Sequence, residues 1–350
     1  MYKILAIIPG VPLKKDDRIA EDLIIECNTL IMKKQLFNVN PLINNLRSID
    51  AVRQQNDCVN VYSFSKRNSI HSFIKSGLRI RSLTRTKNVD LVYSFWGGPA
   101  SLVTVMFSRK PVFLTLLGSD VLGSYDAKHR KNLKGFFITV FTKMACIKAR
   151  GVMVMSEEMK KKLSNKVQKK TIVVPECIDL DLFKPMDKLF CKKYLKLPSR
   201  SKIIIFFPGR GRVVKNLNLA LDIVNKISEK YPDVLLVQVE NIKNTELVYY
   251  YNAADLLLVT SLHEGSNNTI KEALACNCAV VSSNTGDAAS RLKGIEGCFV
   301  IDNYDVNEYV EKVSFILSGS DVVNSRSTLV PLTPKNTANR VTDFFKQQML

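Results

Sequence analysis

The sequence predicts an α/β protein made of two doubly wound halves, each built on a parallel sheet. Apolar runs of strand length alternate with segments of helical periodicity along the whole chain, the pattern of repeated strand–helix–strand units. At 350 residues the chain is too long for one compact core and long enough for two ordinary domains. A charged, Pro-bounded stretch near the middle, KPMDKLFCKKYLKLPSR over 184–200, separates two such series and reads as an interdomain connection.

The elements follow in order. In the first half KILAIIP is a buried strand, GVPLKKDDR a loop, and IAEDLIIECNTLIMKK has helical spacing. VDLVYSF and PVFLTLL are strands, a basic helix runs from about Asp126 to Arg150, and GVMVMS and TIVVPE are strands. After the connection, KIIIFFP is a strand, GRGRVVKN a loop and LNLALDIVNKISEKY a helix. DVLLVQV, NTELVYYYNAA and DLLLVTS continue the alternation; HEGSNNTIKEALAC is a loop and helix, and CAVVSS the next strand. Each half presents its strand C-termini to loops, where ligands of such sheets bind.

Composition removes several classes of function. With 46% hydrophobic and 24% charged residues the chain is neither disordered nor collagenous. The 8 cysteines form no C-x-x-C pair and the 3 histidines are far apart, so neither a zinc site nor a disulfide framework is expected, and the chain reads as cytoplasmic. Met1 runs directly into YKILAII without a basic leader, so no signal peptide is expected. No apolar run reaches the roughly 18 residues of a membrane-spanning helix. A dinucleotide site needs G-x-G-x-x-G after the first strand; the first loop has only Gly10, and PGRGRVVKN lacks the third glycine.

The charge is unevenly distributed. Residues 1–200 hold 36 Lys and Arg against 16 Asp and Glu, whereas residues 201–350 hold 15 against 16. A basic first half fits either a nucleic acid or an anionic membrane surface. Phe136, Phe137 and Phe141 lie between basic flanks in the helix around 126–150. That pattern suits a membrane-lying helix, but for the aromatics alone the expectation is that they fill the core of the first domain.

Two segments carry chemistry. Arg210 and Lys215 follow a strand and precede a helix that begins near Leu217. Two cations at a helix start make either a phosphate site or an ordinary solvated turn. In SLHEGSNNTIKEALAC, Glu264 closes a strand and Glu272 lies eight residues on, inside the next helix. A carboxylate there can accept sugar hydroxyls, or be a common helix residue favoured by the dipole.

Taken together, these segments resemble the retaining glycosyltransferases of the GT-B fold, the group 1 (family 4) class. The resemblance rests on the E-x₇-E pair Glu264 and Glu272 within NAADLLLVTSLHEGSNNTIKEALACNCAVVSSNTGD, on PGRGRVVKN, on VVPECIDLDLFKP and on LLGSDV, and it runs from about Val112 to Asp287. It implies two Rossmann-like domains facing across a cleft, over 1–184 and 201–335. Residues 185–200 would link them, and a helix over 336–350 would pack back toward the N-terminal domain.

The resemblance also implies roles. Arg210 and Lys215 would neutralise the diphosphate of a nucleotide-sugar donor, Glu264 would contact the donor sugar, and Glu272 would hold the ribose hydroxyls. Gly209, Gly265, Ser266, Asn267, Asn268 and Thr269 would complete the donor site. Asp120 is the remaining polar candidate of the Gly-Ser-Asp loop, as a catalytic group or as a cap. No metal and no cofactor are expected, since the cations stand in for a divalent ion, and Asp179-Leu180-Asp181 is structural. The chain departs from the family in lacking a glycine pair in PGVPLKKDDR, in having Leu117 where many members have histidine, and in Asn267. Trp96 to Pro99 would line the acceptor cleft, or Trp96 simply packs.

The function implied is retaining transfer of a hexosyl group to a glycan or lipid-linked acceptor in surface polysaccharide or lipopolysaccharide assembly. With the charge asymmetry it implies a peripheral enzyme on an anionic, cytoplasmic membrane face, with no nucleic-acid partner. The rival readings are an inactive relative serving as a binding subunit, and a basic nucleic-acid-binding protein using Lys128 to Lys134 and Lys160 to Lys170.

Overall fold

The computed structural model describes residues 4–8, 59–63, 70–85, 89–123, 133–209, 211–319 and 323–350. The loop PGVPLKKDDR, the helix expected after it, and Arg210 lie outside these residues. The described residues form two compact units; one extends to Cys177 and takes in Pro334–Leu350, and the other is built on Ile178–Thr333.

The first unit holds strands β1 (Ile4–Ile8), β2 (Val59–Ser63), β3 (Leu91–Phe95), β4 (Val112–Leu116), β5 (Gly151–Val154) and β6 (Thr171–Val173), in the order β2-β1-β3-β4-β5-β6. Every pairing is parallel. Strands β3, β4 and β5 are buried at each residue, as a sheet covered on both faces requires. Their side chains divide with period two. Val92, Leu114, Leu116, Val152 and Val154 meet Ile80, Ala145 and Cys146 of helices Ile70–Leu83 and Leu133–Lys148. Tyr93, Phe95, Phe113 and Met153 point the other way and meet Phe344 and Phe345 of the last helix, Pro334–Met349. Gly151 permits that contact, because a Cβ there would lie 2.8 Å from the rings of Phe113 and Phe344.

Two sequence expectations are corrected here. Phe136 and Phe137 do not fill the core; they are 59% and 56% exposed. The reason is on the opposite side of their helix, where Gly135, Thr142, Ala145, Cys146 and Ala149 are small enough to let it lie close on its neighbours. The charged stretch over 185–200 is not a free connection either. It forms the helix Lys188–Tyr194, capped by Asp187, and joins the second unit. Lys188 pairs with Asp255 at 2.8 Å, the Tyr194 ring stacks on Tyr249, and the buried Lys192 donates to the Ser201 carbonyl at 2.7 Å. The contacts to Asp255 and Tyr249 are long-range in sequence, so charge and proline content alone did not reveal them.

The second unit holds β7 (Lys202–Phe206), β8 (Val234–Gln238), β9 (Leu256–Val259), β10 (Ala279–Ser283) and β11 (Cys298–Ile301), ordered β11-β10-β9-β7-β8 and all parallel. Chain order reverses between β7 and β9, because β8 lies to one side of β7 and all later strands to the other. At such a reversal the connecting loops diverge and leave a crevice beyond the strand C-termini, where open α/β sheets bind ligands.

Candidate functional site

The crevice of the second unit is present where topology places it. A small pocket is lined by Phe206 and Phe207 at the end of β7, by Val259 and Ser261 at the end of β9, and by Lys215, Asn267 and Thr269 from the segments that follow them. Lys215 reaches it through a tight connection. Gly209 and Gly211 both adopt left-handed φ, +61° and +68°, which lets the chain turn sharply off the strand. A 3₁₀ turn over Val213–Lys215 then leads through Asn216, also left-handed, into helix Leu217–Lys230. Three hydrogen bonds tie this turn to the end of β9. Thr260 Oγ1 donates to the carbonyls of Lys215 at 2.9 Å and Asn216 at 3.0 Å, and the Leu262 N–H donates to Val214 at 2.8 Å.

The result brings together two residues that are 49 apart in sequence. Lys215 Nζ donates to Glu264 Oε1 at 2.6 Å, and Ser261 Oγ donates to the same oxygen at 2.9 Å. Both side chains of the ion pair are largely buried. Burial by itself raises the Glu264 pKa, but the Lys215 charge and the two hydrogen bonds, with Arg212 adding to them, outweigh it and hold the carboxyl below its ordinary value. Arg212 was not among the expected site residues; its place two positions after Arg210 was the available signal.

Asn267 caps helix Asn268–Ala275, accepting at Oδ1 from the Thr269 N–H at 3.1 Å and the Thr269 hydroxyl at 2.8 Å. The Thr269 N–H and hydroxyl are therefore both taken up by the cap. Asn267 Nδ2, by contrast, is buried and has no hydrogen-bond partner among the described residues, while its residue lines the pocket. A buried donor without an acceptor is costly, so this group is a candidate contact for a ligand oxygen. Gly265 and Ser266 are fixed by the next strand end. Ser266 Oγ donates to Asp287 Oδ2 at 2.9 Å, and Asp287 is paired with Arg291 at 2.9 Å. Gly286 is held at φ +62° with its Cα so close to this loop that a Cβ would lie 2.9 Å from the Gly265 carbonyl oxygen.

Glu272 lies in the second turn of the same helix, 4% exposed, and accepts from the Tyr251 hydroxyl at 2.8 Å. The Tyr251 ring is sandwiched by Phe207, stacked at 5.6 Å, and Phe183, edge-on at 5.9 Å. Its burial, then the adjacent Glu272 charge, push its phenol well above the ordinary range, so it stays a donor. Sequence reasoning missed Tyr251, because nothing in YYY distinguishes the last ring.

In the first unit, β3 and β4 end in the segments expected near an acceptor. Asp120 is fully buried, and its carboxylate accepts from the N–H groups of Gly97 at 2.9 Å, Leu117 at 3.0 Å and Gly118 at 2.8 Å. Burial raises its pKa against the lowering pull of those donors. This arrangement joins the two strand-end loops through the Asp120 carboxylate. Trp96 is 37% exposed at φ +68°, so its indole is not a core side chain. Asp179 accepts at 3.0 Å from the N–H groups of Asp181 and Leu182, which makes the Asp-Leu-Asp stretch a turn. Among the described residues no group of three or more His, Cys, Asp or Glu side chains is placed to hold a metal ion.

Residues 236–319 match the family model described as Glycosyl transferases group 1. The "D-inositol 3-phosphate glycosyltransferase" of Mycobacterium sp. (strain KMS) is 27% identical over 188 residues, and that of Mycolicibacterium smegmatis 25% over 193. The matches cover 45% and 47% of this chain and 42% and 44% of those relatives, so the chain spans less than half the length of the curated relatives it matches. Among solved structures, sucrose-phosphate synthase from Thermosynechococcus elongatus superposes with a TM-score of 0.72 at 15% identity over 99% of both chains. Anabaena HepE in complex with UDP gives 0.67 at 15% identity over 99% of this chain and 100% of its own. At these identities the likeness is one of fold.

Proposed function

Starting from a chain of GT-B fold whose second unit carries the group 1 glycosyltransferase segment, we propose that it transfers a hexosyl group, with retention, from a nucleotide-diphosphate sugar to a glycan or lipid-linked acceptor. The observation that carries this is the pocket at the β7/β9 reversal, lined by Lys215 and Asn267, with the Glu264 carboxylate held against the Lys215 ammonium. The UDP held by the Anabaena structure of the same fold supports a nucleotide donor.

Cleaving a sugar–phosphate bond builds negative charge on the leaving diphosphate and positive charge at the anomeric carbon. Lys215, together with Arg210, would stabilise the first, and Glu264 the second. Because Lys215 is already fixed by Glu264 and by the Thr260 stitching, it need not reorganise when the charge develops. Glu272, oriented by Tyr251, would take the ribose hydroxyls, and Gly209 would let the backbone approach the phosphates. Gly265, Ser266, Asn267 and Asn268 would border the sugar. A fixed ammonium does the work of a divalent ion, so transfer would proceed without a metal. Trp96 would line the acceptor side. The basic excess of residues 1–200 fits work at an anionic, cytoplasmic membrane surface in polysaccharide or lipopolysaccharide assembly.

The test is a panel of nucleotide sugars and nucleoside diphosphates screened by thermal shift with EDTA present, followed by donor hydrolysis. A donor at about 100 times its Kd should contribute roughly 2.7 kcal/mol of stability. No stabilisation by any member, or stabilisation unchanged in Lys215→Ala, would remove the donor reading.

A further inference from the structure

Helix Leu133–Lys148 is built inside out for a soluble protein. Its buried side carries Gly135, Thr142, Ala145, Cys146 and Ala149, while its outward side carries Leu133, Phe136, Phe137, Met144 and Ile147, each about half exposed or more. These positions recur at three- and four-residue spacing, so they form one continuous apolar stripe. A neighbouring stripe exists. Helix Pro99–Phe107 packs against this helix and against helix Ile70–Leu83, and the latter exposes Ile70, Ile74 and Leu78 at i, i+4 and i+8. Scattered exposed apolar residues need no explanation, but apolar stripes on two helices that flank the same third helix mark an interaction surface.

Charge identifies the partner. Residues 70–85, 99–110 and 133–150, which contain the three helices, carry ten Lys or Arg and no Asp or Glu. A second copy of this face would oppose like charges, and a protein partner would have to be acidic and apolar together. A bilayer with anionic headgroups supplies both at once, with acyl chains for the Phe and Leu side chains and phosphates for the cations.

We propose that this three-helix face of the first unit is a docking surface for anionic lipid bilayers, with Phe136 and Phe137 as its inserted residues. The proposal deepens the membrane-acting transferase reading and rests on it for the acceptor's identity. Its position is apt for that role. Thr142, one turn beyond Ile138, accepts the Gly98 N–H at 2.8 Å, and Ile138 packs at Gly98. The helix that carries Phe136 and Phe137 is thus bound directly to the loop that ends β3, next to Trp96. Inserting those rings would set the lipid surface beside the rim where a lipid-linked acceptor must be presented.

The experiment is flotation of the full chain with vesicles of phosphatidylcholine, with and without phosphatidylglycerol, at low and high salt. The chain should float with the anionic vesicles only, and high salt should weaken the binding. Phe136→Ser/Phe137→Ser should lower the bound fraction about tenfold, whereas Phe136→Trp/Phe137→Trp should keep it, since indole favours the bilayer interface. Undiminished binding of the Ser variant, equal binding to neutral vesicles, or no binding by the parent chain would each overturn the proposal. So would a dimer in solution that the Ser variant converts to monomer. Nucleotide-induced thermal stabilisation, measured on the same samples, keeps the two readings apart: its loss with flotation intact counts against the transferase, and the converse against the docking face. A cooperative melting transition on the same samples shows that each variant is folded.

Discussion

Lys215 Nζ and Glu264 Oε1 stand 2.6 Å apart at the point where the strand order of the second sheet reverses. The pair satisfies two needs at once. It neutralises a carboxylate and an ammonium that are both mostly withdrawn from water, where an unpaired charge is expensive. In the proposed reaction it would also hold a cation in place for the incoming diphosphate.

Removing the cation should therefore affect both rate and stability. Lys215→Ala is expected to slow sugar transfer by about 10²–10³-fold, the usual effect of deleting one preorganised donor to developing charge. It also strands Glu264. Breaking a buried pair costs about 3–5 kcal/mol, and the remaining exposure of both side chains should bring this toward ~2 kcal/mol. Adding Glu264→Gln should recover stability without recovering turnover. Denaturant melts and single-turnover kinetics on the two single variants and the double variant check this. A Lys215→Ala enzyme with near-normal turnover would take the residue out of the mechanism.

The same pair sets an acid limb. The Glu264 pKa in the folded chain lies below its ordinary value, so its stabilisation is complete above the unfolded value of about 4.3 and is lost as pH falls through the lower, folded value. Stability measured between neutral pH and this acid range should fall less steeply in Glu264→Gln than in the parent chain. Parallel curves would mean that the pair is not formed in solution.

Much of this site was legible before the structure, and the reason is topological. Loops at strand C-termini are local in sequence, so Lys215, Glu264 and Glu272 could be read from GRGRVVKN and HEGSNNTIKEALAC. What could not be read were contacts between segments far apart. Thr260 against Lys215, Tyr251 against Glu272 and Gly286 against Gly265 are such contacts. The outward Phe136 and Phe137 failed for another reason. Composition shows that a helix is apolar, but which side is buried depends on the small residues that permit close packing.

Asp120 offers a contrast between positioning and catalysis. Asp120→Ala should leave three backbone N–H groups without an acceptor, at about 1–3 kcal/mol for each one that water fails to reach. The melting temperature should drop by several degrees. Donor hydrolysis, which the proposed function places in the second unit, should change little at temperatures where the variant is folded. Full stability with abolished turnover would instead return Asp120 to a chemical role.

Gly286 should tolerate no side chain. In Gly286→Ala the Cβ would lie 2.9 Å from the Gly265 oxygen and 3.0 Å from the Glu264 oxygen, both backbone atoms that cannot swing aside. The left-handed φ adds a further cost of about 1 kcal/mol. The loop carrying Glu264 must therefore shift, and the expected signature is a raised donor KM with a modest loss of stability. Unchanged donor affinity, measured by calorimetry with the nucleotide found in the thermal screen, would show that the loop is not part of the donor site.

Trp96 separates strain from packing. Its left-handed φ of +68° costs about 1–2 kcal/mol for a residue with a Cβ. Trp96→Gly relieves that strain but adds backbone freedom to the unfolded chain, worth about 0.5–1 kcal/mol in the opposite sense. With the indole 37% exposed, little core packing is lost, and net stability should stay within about 1 kcal/mol of the parent. If the strained conformation is kept because it presents the ring to the acceptor, transfer should fail through a raised acceptor KM while donor hydrolysis continues. Trp96 is the chain's single tryptophan, so fluorescence of the parent protein should respond to acceptor and not to free nucleotide. A large stability loss in Trp96→Gly, with transfer following it in proportion, would mean that the ring serves packing after all.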